Sequence, residues 1–117
     1  MDICFEGVGQ VAATFQVEDG EDIQAGMAVT LKDSGTVGLG GGGDAVCGVL
    51  LGGVRGGAAA VQISGVAKVG YSGGEAPSVG WRELVCDEKG RVRVESGGAK
   101  CLVLAVDKGE QSVVVKL

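Results

Sequence analysis

The chain has 117 residues, of which 45% are hydrophobic, only 3% are aromatic and 24 are glycine, against one proline. A net charge of −5 argues against a general nucleic-acid binder, which needs a basic face to displace counterions. The absence of histidine removes the usual base for a Ser or Cys nucleophile.

The length suits one domain with a single core, built from Val, Leu, Ile and Ala because aromatic residues are scarce. Glycine usually supplies about 7% of a chain and costs about 0.5–1 kcal/mol inside a helix or strand, so its abundance here predicts many turns and no long helix. The opening "MDICFEGVGQ" has an acid at position two and neither a basic segment nor a sustained apolar run. No stretch approaches the roughly 18 apolar residues of a membrane span. These features predict a soluble protein made in a cytoplasm, with no membrane partner.

Short apolar runs recur every eight to twelve residues or so between turn signals, the pattern of an all-β domain. Residues 1–14 read as an N-terminal arm or edge strand, and 15–117 as a single β domain. In chain order the expected strands are "VAATFQV" (11–17), "MAVTL" (27–31), "TVGL" (36–39), "AVCGVLL" (45–51), "AAVQI" (59–63), "VAKVGY" (66–71), "ELVCD" (83–87), "RVRVE" (91–95), "CLVLAV" (101–106) and "SVVVKL" (112–117). In "RVRVE", Val92 and Val94 point one way while Arg91, Arg93 and Glu95 point to a wet face. "CLVLAV" has no polar alternate and is expected to be covered on both sides.

Three connections place an Asp two or three residues before a Gly: "LKDSGTV", "CDEKGRV" and "VDKGEQSV". Asp bonds back to the turn backbone and Gly takes a positive φ, so hairpins are expected at 33–35, 87–90 and 107–109. The longest connection, 71–81, is bracketed by the single Tyr and the single Trp, and has room for one helical turn within 74–83.

"VGLGGGGDAVCGVLLGG" (37–53) contains G-x-G-x-x-G at Gly38, Gly40 and Gly43. A dinucleotide site needs a helix next and an acid about twenty residues later. Glycines 48, 52, 53, 56 and 57 oppose a helix, and positions 63 and 64 are Ile and Ser. The run is read as a connection between β segments, with Gly48, Gly52 and Gly53 marking bends or close backbone approach.

Cys4, Cys47, Cys86 and Cys101 lack the paired spacing of a zinc site; the last three sit in apolar runs and read as small core residues. Glu18, Asp19, Glu21 and Asp22 surround Gly20 without EF-hand spacing, and read as a solvated acidic turn. Neither metal, cofactor nor catalytic residue is assigned. Tyr71 and Trp81 are candidate partner anchors, unless they plug the end of the domain. Arg91, Arg93, Glu18 and Asp19 are further candidate interface residues, although such arginines more often guard a strand edge. Lys108, on the 107–109 hairpin after Asp107, raises the alternative of a small β-barrel adaptor or a carrier module with a modified lysine. Only nine residues follow it, too few for the second half of a biotinyl or lipoyl barrel.

From about Phe15 onward, "IQAGMAVTL", "DAVCGVLLGGVRGGAAAVQISGVAKV", "YSGGEAPSVGWRELVCDEKGRVRV" and the closing "CLVLAVDKGEQSVVVKL" resemble the tailed-phage capsid cement, or head decoration, proteins, some of which have been mislabelled as phage recombinases. The resemblance rests on glycines and β-branched residues, with "YSGGEAP-x-VGW-x-EL" its most distinctive part. It implies an all-β barrel or sandwich (β-tulip-like) of about eight to ten short strands with at most one short helix. It also implies a non-enzymatic homotrimer on the outer capsid surface that clamps major capsid subunits. Such a protein is made in a bacterial cytoplasm and carried in the virion. In such families an N-terminal arm commonly reaches the shell, a role residues 1–14 would take.

Overall fold

The computed structural model describes residues 9–18, 22–41, 43–73 and 75–117. Among them there are eleven strands and no helix. β1 (Val11–Val17), β2 (Ala28–Asp33), β3 (Thr36–Gly38), β5 (Gly48–Leu50) and β6 (Ala58–Ser64) close a barrel in the order β1-β3-β2-β5-β6. β4 (Asp44–Ala45), β8 (Gly80–Cys86), β10 (Ala99–Asp107), β11 (Ser112–Lys116) and β7 (Val66–Gly70) follow one another in a second, antiparallel sheet, with β9 (Val92–Val94) also on β8. The all-β expectation holds, with one strand more than the upper end of the expected range. Residues 11–14 are strand, paired with β6; residues 1–8 of the expected arm lie outside the described residues.

The two lobes share a wall. On β2, Ala28 packs into the core of the second sheet and Val29 into the barrel core; on β5, Val49 and Leu50 divide the same way. Ala28 and Val49 are register partners. Because successive strand side chains point to opposite faces, these two strands feed both cores, β2 through its first half. "CLVLAV" is not covered on both sides: Cys101 and Val103 are buried on one face of β10, while Leu102, Leu104 and Val106 are only half-buried on the rest of the strand. A bulge between Val103 and Ala105 shifts its alternation.

"AVCGVLL" is two strands rather than one. Asp44–Ala45 pairs with β8 in the second sheet, and Gly48–Leu50 joins β2 and β6 in the barrel. Val46 and Cys47 carry the chain back to the barrel, and the glycine run lies ahead of both strands, between β3 of the barrel and β4 of the second sheet. A Cβ at Gly40 would collide with the Cys86 carbonyl, and one at Gly48 would stand 2.5 Å from the Gln62 carbonyl oxygen. Close approach therefore explains Gly48, as expected, and also Gly40. It does not explain Gly52 and Gly53, which face open space.

All three expected hairpins form. Gly35 and Gly90 take positive φ, but in the third turn the left-handed residue is Gln111 (φ 52°), not Gly109. That loop is longer than expected, with Asp107 opposite Ser112. The second sheet nearly closes on itself as well: Tyr71, just past β7, bridges Val92 of β9.

Candidate functional site

The Tyr and Trp that bracket the 71–81 connection part ways. Tyr71 is 5% exposed and belongs to the core of the second sheet, so it plugs the lobe and is withdrawn as a surface anchor. Trp81 is 61% exposed.

Its position follows from local chemistry. Gly80 takes φ +113°, a conformation L side chains rarely adopt, and turns the chain from the loop into β8. Arg82 locks that turn: its guanidinium donates to Ser78 Oγ at 2.9 Å, to the Val79 carbonyl at 3.0 Å and to the Trp81 carbonyl at 2.6 Å. Val79 (59%) and Val94 (48%) add exposed apolar area. Val94 departs from expectation, since Val92, on the same side of its strand, is buried.

The register places Trp81 opposite Leu102 on β10, and Leu102 opposite Lys116 on β11. Directly paired residues share a face. The Lys116 ammonium accordingly lies 5.9 Å from the centroid of the indole ring, within cation–π range. The next pairs on this face are Glu83 with Lys100 and Val114 with Lys68. A groove of about 680 Å³ runs along Trp81, Arg82, Glu83, Val94, Glu95 and Lys100. A cleft of about 500 Å³ is lined by Ser72, Glu75, Pro77, Arg82, Arg93 and Val94.

The other candidate residues are dispersed. Arg93 pairs with Glu95 of its own hairpin (3.5 Å), and Arg91 with Asp87 (4.0 Å). Glu18 is exposed at the end of β1, in the barrel lobe; Asp19 lies outside the described residues. Lys108 is exposed on the β10–β11 hairpin, whose turn is held by Asp107 Oδ1 accepting from the Gly109 and Glu110 amides. No group of three or more His, Cys, Asp or Glu side chains is placed to hold a metal among the described residues. No helix follows the glycine run there, and the Gly41 amide is already taken by Asp44 Oδ2 (2.9 Å).

Burial pushes the thiols of Cys47, Cys86 and Cys101 up, that of Cys86 to about 11 with help from the neighbouring Asp44 charge. They are poor nucleophiles at neutral pH. Lys116 and Leu102, which shape the Trp81 surface, were not singled out by the sequence, because only strand register brings them to it; Arg82 adjoins Trp81 in the chain, but its bonds to Ser78 and Val79 depend on the turn at Gly80.

Charge is unevenly distributed along the sequence: residues 1–64 hold eight acids and two bases, and residues 65–117 hold seven acids and eight bases.

No protein-family model, curated protein or solved structure matches the chain. What it can do has to be read from its own surface.

Proposed function

We propose that the chain is a virion structural protein, a capsid decoration or cement protein that forms a homotrimer on the outer capsid surface and stabilises contacts between major capsid subunits. The observation that carries this reading is the exposed Trp81, held in place by three Arg82 hydrogen bonds and flanked by Val79 and Val94. A large aromatic residue fixed at the surface costs little entropy to dock and is the residue type most often found at binding hot spots. The resemblance of residues 15–117 to cement proteins supplies the partner. The reading assigns no reaction.

The test is native mass spectrometry together with co-sedimentation on undecorated phage heads. A trimer that pellets with the shells, and a Trp81→Ala variant that binds them at least about tenfold more weakly, are expected. A strict monomer that stays in the supernatant overturns the reading.

The exposed Lys108 on its stapled hairpin favours a second reading, a carrier-type or adaptor module. Intact mass of the protein purified from its native source distinguishes the two: a covalent adduct on Lys108 would establish the carrier, and an unmodified lysine removes it.

A further inference from the structure

We infer that the cleft between the 71–81 connection and the β10–β11 hairpin binds a carboxylate carried on a compact apolar body, with the hydroxyl of Tyr71 at its floor. Such a site is independent of capsid attachment and requires no second copy of the chain.

The cleft encloses about 680 Å³, a size ordinary for small-ligand pockets. Its apolar walls are Ala76, Pro77 and Val79 from the connection and Val106 from β10. Tyr71, only 5% exposed, also lines it. Two backbone bonds fix that residue: the Tyr71 N–H donates to the Gln111 carbonyl at 2.9 Å, and the Ser72 N–H to the Val92 carbonyl at 2.8 Å. The ring packs into the core of the second sheet, yet the phenol oxygen has no hydrogen-bond partner among the described residues. No buried side-chain oxygen there is left unsatisfied, so the phenol oxygen is not buried but opens onto the cleft. It offers one donor and one acceptor to whatever enters.

Donors outnumber acceptors around it. Ser78, which lines the cleft, accepts from Arg82 Nε at 2.9 Å; its own O–H stays available to donate and is polarised by the guanidinium charge. Lys108 is exposed at the rim and pairs with no carboxylate among the described residues. The other hairpin carboxylates are engaged, Asp107 Oδ1 by the Gly109 and Glu110 amides and Glu110 by Lys68. One carboxylate lines the cleft, Glu75, exposed on the connection. Two hydroxyls and an ammonium against that single carboxylate select an anionic acceptor, and the apolar walls select the body that carries it. Glu75 opposes such a ligand, which makes it a control of opposite sign.

The experiment is a nitrogen-edited NMR titration of the full chain with isocaproate and with isocaproamide, the same body without the charge. Isocaproate is expected to shift the backbone signals of Tyr71, Val79 and Lys108 and to saturate with a dissociation constant of about 1 mM, ordinary for so small a ligand. The amide binds at least about tenfold more weakly. Tyr71→Phe, which keeps the ring, and Lys108→Ala each weaken isocaproate at least about threefold, whereas Glu75→Gln tightens it at least about twofold. The spectra of the variants report their folding. N-acetyl-leucine, with the same apolar branch on a chain end, separates two sources of the carboxylate: tighter binding than isocaproate assigns it to a protein C-terminus, weaker binding to a free acid, and both support the site.

Shifts that do not saturate by about 20 mM, an amide that binds like the acid, a Tyr71→Phe variant with wild-type affinity, or a Glu75→Gln variant that binds more weakly overturns the inference. Shell binding is scored separately. A chain that ignores phage heads but binds isocaproate keeps this site and loses the capsid reading; the opposite pair of results does the reverse.

Discussion

Gly40 passes so close to Cys86 that any side chain there would run into the Cys86 carbonyl and sulfur. The contact sits where the chain leaves the barrel for the second sheet, and the Gly40 amide is also bonded to the Asp87 carbonyl at 3.1 Å. Gly40→Ala is expected to destabilise by about 1–3 kcal/mol, the usual cost of forcing atoms into filled space. Gly52→Ala and Gly53→Ala, whose added methyl groups meet nothing within 4 Å, are expected to be neutral or to stabilise by up to about 1 kcal/mol through the unfolded chain. Urea midpoints of the three variants decide it. Equal losses at 40 and 52 would refute the packing account.

Gln62 holds the corner between the lobes. It is 3% exposed, and its Nε2 donates to the carbonyls of Ser64 and Val66, both at 3.1 Å. These carbonyls flank Gly65, where the chain turns from β6 of the barrel into β7 of the second sheet. Gln62→Leu keeps much of the volume and leaves both acceptors without this donor, so a loss of about 2–3 kcal/mol is expected by thermal or urea unfolding. A loss below about 0.5 kcal/mol would mean that the bonds contribute little.

Strands and hairpins were legible because alternation and Asp–Gly turns act over a few residues. The partition into two lobes was not. Ala28 and Val29 look alike in the sequence, yet one enters each core, because β2 happens to be the shared wall. "AVCGVLL" reads as one apolar run since its break, between Ala45 and Gly48, is set by partners far along the chain: β8 on one side and β6 on the other. The surface around Trp81 was half legible. An unusual aromatic residue after a turn glycine can be seen; Leu102 and Lys116 reach it only through strand pairing.

Gln111 occupies left-handed backbone at φ 52° in the loop before β11. A non-glycine residue there is strained, and glycine takes the same conformation without a steric penalty. Gln111→Gly is expected to be neutral or to stabilise by up to about 1 kcal/mol, and a β-branched Gln111→Val to destabilise by about 1–2 kcal/mol. Thermal midpoints of the two variants, moving in opposite directions, are the check; glycine destabilising as much as valine would contradict it.

The raised thiol pKa values predict slow chemistry in the folded state. Cys86 and Cys101 are buried and Cys47 is half-buried. In a Cys4→Ser variant at pH 8, a maleimide or disulfide reagent is expected to label Cys47 first, while Cys86 and Cys101 react only on unfolding in urea. Immediate modification of all three in the native protein would show that the cores open on the time scale of labelling.

Asp87 makes the fold sensitive to acid. Partial burial pushes its carboxyl up, but the Arg91 and Lys89 amides, each donating to Oδ1 at 2.9 Å, outweigh it together with Ser72 and the Arg91 charge, and hold it below the ordinary aspartate value. A folded value below the unfolded one means that the carboxylate stabilises the protein above the unfolded value of about 3.9, and that this contribution is lost as pH falls through the folded one. Asp87→Asn retains an acceptor oxygen and removes only the charge. It is expected to be about 1–2 kcal/mol less stable than wild type at pH 7, with the gap closing as the pH falls below the unfolded aspartate value of about 3.9 and through the lower folded one. Paired urea titrations between about pH 7 and pH 2.5 measure it across the window in which the carboxylate protonates. A difference that stays constant down to the lowest pH would show that the carboxylate charge is not what the two amides stabilise.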